Sequence, residues 1–169
     1  MLPSVNPVID VLAASEIDHL EGLWGQLLAH HSKKAPHLAE LGALRSPAES
    51  WRLRREQYIE WLREPRTTVL VARDGDRLLG YAVVRVLDAP GSWQWGDQVG
   101  VLETLVVDDD ARGTGVGQAL VGAARERLAE LKVQVMKISV IAGNEDAVRF
   151  YQREGAVDFV RTLVMPVSG

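Results

Sequence analysis

"VGVLETLVVDDDARGTGVGQALVGAARERLAELK", residues 99–132, is the stretch on which the fold turns. It opens on a dense apolar run, passes three aspartates and closes on an amphipathic helical pattern. A continuous apolar run of this length ahead of a helix reads as a largely buried strand. Between strand and helix stand Gly113, Gly115 and Gly117, at every second position and beside Arg112. Glycine in or next to a helix costs roughly 1 kcal/mol relative to alanine, so three of them need a reason.

A helix starting near Val116 leaves its first amide N–H groups without partners and carries partial positive charge there. Glycines let a ligand approach that backbone, and successive amides can point into one anion-binding hollow. Arg112 adds a fixed positive charge suited to phosphate. One glycine would suffice for a connecting turn, whereas three and an arginine suit an oxygen-rich anion. Two familiar phosphate loops fail. The mononucleotide pattern needs a Gly-Lys pair, and the chain has none. The dinucleotide pattern needs glycine or alanine at Gln118 or Leu120.

Outward from this stretch the periods change. Residues 67–87, "TTVLVARDGDRLLGYAVVRVL", contain two β-rich runs joined at Asp-Gly-Asp, a hairpin in which Gly75 can take positive φ. Upstream, "IDVL" reads as a short strand, and Ser15 as the cap of a helix over residues 16–31. A second helix covers residues 46–64, with Ser46 as cap, Pro47 in the first turn and a rough stripe of Trp51, Leu53, Tyr58, Trp61 and Leu62. Downstream come a strand over 135–142, a short helix over 144–155 and a last strand over 156–167. The order predicts one mixed α/β domain across residues 1–169.

Composition limits the function. The 169 residues are 47% apolar and 25% charged, enough for a single core. With no cysteine there is no disulfide, thiolate metal site or cysteine nucleophile. His19, His30, His31 and His37 form no metal-ligand spacing, so no metal is expected. A net charge of −4 argues against nucleic acid and leans toward a cationic partner. No apolar run approaches the roughly 18 to 20 residues that span a bilayer, and the N-terminus lacks signal-peptide character. A cytoplasmic protein without a membrane partner is expected, and a homodimer is compatible with the sequence.

The arrangement Arg-x-x-Gly-x-Gly, as Arg112, Gly115 and Gly117, resembles the GNAT superfamily of acyl-CoA-dependent N-acyltransferases. A second block, "SVIAGNEDAVRFYQREGA", carries that family's other pattern in Asn144, Ala147, Phe150, Tyr151 and Gly155. The resemblance covers roughly residues 99–156. It departs at Asp109, where the family often has proline, and at Ala156, where it often has phenylalanine. The last strand also stands alone where many relatives have two. The resemblance implies a central mixed sheet of six to seven strands flanked by about four helices. It also implies acetyl-CoA as co-substrate and an amine acceptor, either a small molecule or a protein. The cofactor would be held by Arg112, Gly113, Thr114, Gly115, Val116, Gly117 and Gln118 at the loop. Leu105, Val106 and Val107 would run along the pantetheine arm, and Asn144, Ala147 and Phe150 would line its other side.

Acyl transfer from a thioester to an amine makes three chemical demands. A lysine-like amine, with pKa about 10.4, must lose a proton. The carbonyl oxygen needs hydrogen-bond donors as charge develops. The leaving thiolate, with pKa near 8.5, is helped by an acid such as tyrosine at about 10. Tyr151 is the candidate acid; the competing reading is a packed core tyrosine. Glu103 interrupts an apolar strand, where a buried carboxylate is costly without a partner. It either relays the amine proton through water, as the resemblance implies, or answers an arginine. Asn144 can serve as helix cap and cofactor contact together. Trp93 and Trp95, in a loop, either line the acceptor pocket or pack on the sheet edge. His30 and His31 either border that pocket or end a solvated helix. A CoA-binding sensor without turnover is the rival class.

Overall fold

The computed structural model describes residues 5–167. Its centre is an antiparallel hairpin of β2 (Thr68–Asp74) and β3 (Arg77–Asp88), turning at Gly75 with φ +57° as the sequence predicts. β4 (Gln98–Val107) adds antiparallel to β3, and the short β5 (Met136–Ile138) adds parallel to β4. β1 (Val8–Val11) closes the opposite edge antiparallel to β2, giving the order β1-β2-β3-β4-β5.

Both faces of the sheet are covered, which is why β2 and β3 read as unbroken apolar runs. One face packs on α3 (Val116–Glu130) through Val116, Leu120, Val121, Ala124 and Leu128, spaced as one helical stripe against Leu70, Ala82, Val84 and Leu102. The other packs on α1 (Glu21–Lys34) and α2 (Pro47–Trp61), where Leu23, Trp24, Trp51 and Tyr58 meet Val69, Val71, Tyr81 and Val106. Ser46 caps α2 as expected, its hydroxyl accepting from the Glu49 amide at 3.2 Å. The last helix, α4 (Glu145–Arg153), closes with Gly155 at φ +93° and the Ala156 amide donating back to the Tyr151 carbonyl. Among the described residues no helix is long and apolar enough to cross a membrane.

The fold differs from expectation in three places. It has five strands among the described residues, not six to seven. The expected last strand over 156–167 makes no ladder. Its apolar side chains stand exposed, with Val157 at 86%, Leu163 at 83% and Met165 at 84%. β5 is three residues long and so offers little edge to pair with, and Pro166 has no N–H to donate. The first helix begins as a 3-10 turn (Ala14–Leu20); there the Glu16 carboxylate, not Ser15, accepts from the Ala13 amide.

One irregularity prepares the site. Val83 faces Thr104 and Val84 faces Leu102, so Glu103 has no partner on β3. This is a β-bulge of one residue, and it reverses the alternation of faces beyond it. Leu102 and Leu105, three apart, therefore share the face toward α3. The β4–β5 ladder also stops at Leu102, so β4 continues from Glu103 to Val107 with an open edge.

Candidate active site

The glycine loop joins that open edge to α3. Asp108 fixes its start. Its carboxylate accepts from Gln26 Nε2 at 3.2 Å, Arg77 Nη2 at 2.8 Å and the Asp110 amide at 3.1 Å. Burial raises the Asp108 pKa, but these hydrogen bonds outweigh it and hold the carboxyl below its usual value. Gly113 and Gly115 lie at φ +74° and +96°, and Gly115 is the N-cap of α3. Thr114 is buried between them, its hydroxyl donating to the Ala111 carbonyl at 2.6 Å.

The first helical bond of α3 runs from the Ala119 amide to the Gly115 carbonyl. Among the described residues, the amides of Gly113, Thr114, Gly115, Val116, Gly117 and Gln118 make no well-formed hydrogen bond to a backbone carbonyl. Weakly bonded amides at a helix N-terminus suit an anion with many oxygens. Arg112 stands beside it, paired with Asp109 at 2.8 Å and near His30 Nδ1 at 3.4 Å. An exposed pair of this kind is worth at most about 1 kcal/mol, so Arg112 can turn to a phosphate at little cost.

Along the open edge, the Asp108 amide donates to the Leu79 carbonyl at 2.8 Å. Alternation then directs the Val106 amide toward β3 and leaves those of Leu105 and Val107 facing the opening. The Val106 side chain is itself 2% exposed, packed in the cluster with Tyr58 and Tyr81. The edge thus offers two amides to an extended ligand, from Leu105 and Val107.

A cavity of about 110 Å³ opens where β4 and β5 part. Glu103, Thr104 and Leu105 line it from β4, Asn144, Ala147 and Tyr151 from α4 and the turn before it, and Leu27 and His31 from α1. Glu103 is paired with Arg85 Nη1 at 3.1 Å, and Arg85 also reaches Glu64 at 3.2 Å and lies 4.4 Å over the Trp61 ring. Glu103 thus answers an arginine, and it is also one of the residues lining the cavity. Tyr151 packs edge-on to Phe150, and its hydroxyl has no protein partner among the described residues. Burial pushes the Tyr151 hydroxyl pKa up. Asn144 caps α4, its Oδ1 accepting from the Ala147 amide at 3.4 Å.

Phe150 is not in the cavity wall but lies against Gly117, and its ring belongs to the α3-side core. The Gln118 side chain donates to Glu154 at 2.9 Å, tying α3 to α4. Trp93 and Trp95 stack at 6.2 Å and pack on Phe159, away from the cavity. Sequence reading left His31 undecided, and the fold settles its position: it is a wall of the cavity. Thr104 was missed because its hydroxyl, hydrogen-bonded to Tyr58 at 2.7 Å, gives no local pattern.

A family model described as acetyltransferase (GNAT) family matches residues 35–156. The mycothiol acetyltransferase of Propionibacterium freudenreichii subsp. shermanii is 35% identical over 131 residues, which is 77% of this chain and 38% of that protein. Across the mycothiol acetyltransferases it matches, the chain spans 27% to 38% of their length. Among solved structures, a GCN5-related N-acetyltransferase from Ralstonia eutropha JMP134 superposes with a TM-score of 0.73 at 19% identity, covering 97% of this chain and all of that one. AAC(6')-Iy in complex with the bisubstrate analogue CoA-S-monomethyl-acetylneamine superposes at 0.69 with 18% identity, covering 96% and 98%.

Proposed function

Because the chain belongs to the acetyltransferase (GNAT) family, we propose that it transfers an acetyl group from acetyl-CoA to a primary amine by direct attack in a ternary complex. The observation that carries this is the order of parts along β4, with the cavity, the open strand edge and the glycine loop following one another in the chain. The loop amides stand at one end, the open edge of β4 follows, and Glu103 and Tyr151 are among the residues lining the cavity at the other. The likeness in fold to a structure solved with a CoA bisubstrate analogue is in keeping with a CoA thioester as the donor.

Acetyl-CoA supplies the activated thioester. The loop amides and Arg112 hold its pyrophosphate, and Asn144 and Ala147 border the arm. The amide of Leu105 or Val107 donates to the carbonyl oxygen as charge develops there. Tyr151 donates its proton to the leaving sulfur. Its raised pKa keeps it in the donor form throughout the range where an amine is available as free base. Glu103, held by Arg85, presents a negative edge that draws an ammonium or a water to the cavity. The acceptor class is a primary amine of a small molecule or a protein. The name of the mycothiol acetyltransferases puts mycothiol-related amines among the acceptors to test.

Thermal melts and a thiol-release assay test the reading. A ligand specific for the native state at 100 times its Kd adds about 2.7 kcal/mol of stability. CoA and acetyl-CoA should raise Tm, while NAD and ATP should not. With acetyl-CoA and a panel of amines, at least one amine should drive release of CoA thiol with an equal yield of N-acetyl product. Stabilisation by NAD or ATP without stabilisation by CoA would overturn the cofactor assignment. Binding of CoA without turnover of any amine would favour a sensor.

A further inference from the structure

We propose that His31 is the base that takes the proton from the attacking amine, an inference that rests on the acetyltransferase reading above. His31 is the titratable wall of the cavity contributed by α1, across from Glu103 on β4 and Tyr151 on α4. Its placement is fixed at both ends of the helix. Gln26 donates to Asp108 and accepts from the Asp109 amide at 2.8 Å, locking the first half of α1 to the cofactor loop. At the other end, Lys34 Nζ pairs with Asp146 at 2.7 Å, and the Lys34 carbonyl lies directly on Gly143. Gly143 is at φ +91°, so the close approach and the backbone conformation both demand glycine. α1 therefore bridges the cleft from β4 to α4, with His31 in the span.

The other candidate for this task is committed elsewhere. Glu103 is engaged by Arg85 at 3.1 Å, so its carboxylate is already committed to an ion pair. An imidazole has an ordinary pKa near 6.5, better matched to proton transfer near neutrality. The charged groups acting on His31 are His30 on its own helix and Arg54 from α2; Glu103 from β4 and Tyr151 from α4 share its cavity, while Lys34, three residues on, is engaged by Asp146 of α4. Burial, then the positive charges of His30 and Arg54, lower the His31 pKa, so it is neutral and able to accept a proton at pH 7.

The step balances. The amine nitrogen's lone pair forms the new C–N bond while its proton passes to the His31 imidazole. The C–S bond breaks, its electron pair stays on sulfur, and the Tyr151 proton neutralises it. His31 then releases its proton to solvent, and Tyr151 regains one.

The test uses the most active amine from the thiol-release panel. His31→Gln should lose 100-fold or more in kcat with little change in the KM for acetyl-CoA. In wild type the rate should carry an acid limb below pH 6.5, and the variant should lack it. His31→Ala should recover activity on addition of free imidazole, which a merely structural residue would not do. NMR titration of the His31 ring should give a pKa below 6.5 that moves when CoA binds. An active wild type with an equally active His31→Gln overturns this inference alone. So does a His31 resonance that titrates normally and ignores CoA. A wild type that turns over no amine in the panel overturns the reading beneath it.

Discussion

A methyl group placed on Gly117 would meet the Phe150 ring at 3.4 Å and Val107 Cγ2 at 3.6 Å, ordinary contact distances. Gly117→Ala should therefore fold normally, and alanine's helical preference should add up to about 1 kcal/mol. Its methyl would still crowd an anion approaching the amides. Isothermal titration should show weaker CoA binding alongside an unchanged or higher Tm; unchanged affinity would mean that Gly117 serves packing alone. Gly115 cannot separate these effects, because at φ +96° any side chain strains the turn as well. Tyr151→Phe keeps the ring against Phe150 and removes only the hydroxyl. Loss of a general acid should cost about 100- to 10,000-fold in kcat, with the KM for acetyl-CoA unchanged. The glycines and Glu103 stand out in the sequence because local chemistry marks them, as glycines where a helix begins and a carboxylate inside an apolar strand, whereas Tyr151 is singled out only by the resemblance in the second block. His31 carries no such mark. Only the packing of α1 across the cleft distinguishes it from a histidine at a solvated helix end.

The elements divide in the same way. Strands β2, β3 and β4 and helices α2, α3 and α4 follow from apolar period and caps, since both faces of the sheet are buried. The bulge at Glu103 was not legible, because register is set by pairing across strands and not by composition along one. The final segment reads as a strand by residue type, yet type alone supplies no neighbouring edge. The contact between α1 and the turn before α4 was also invisible locally, and it makes a prediction. Gly143→Ala should lower stability by roughly 1–2 kcal/mol from backbone strain, and more from the collision with the Lys34 carbonyl. Lys34→Ala removes an exposed pair worth at most about 1 kcal/mol. Urea unfolding of both variants checks the order; equal losses would mean that the glycine is not under constraint.

At the scale of the whole molecule, protons and cofactor act on one folding equilibrium. The His31 pKa is lowered in the fold, so the unfolded chain takes that proton more readily. Stability from this source is complete above pH 6.5 and falls as pH drops through 6.5 toward the lower folded value. Asp108 contributes in the same direction at lower pH. Its folded pKa lies below the usual 3.8, and its contribution is lost as pH falls through that folded value. Tm measured against pH should therefore begin to decline below pH 6.5, and His31→Gln should flatten the first part of that decline. The central claim is that the loop amides and the cavity form one acyl-transfer site, and amine-dependent release of CoA thiol from acetyl-CoA tests it most directly in wild type and Tyr151→Phe together. The account predicts release matched by N-acetylated product in the wild type and a loss of at least about 100-fold in the variant, with CoA binding equal in both. Equal rates in the two proteins, or CoA binding with no amine-dependent release, would contradict it.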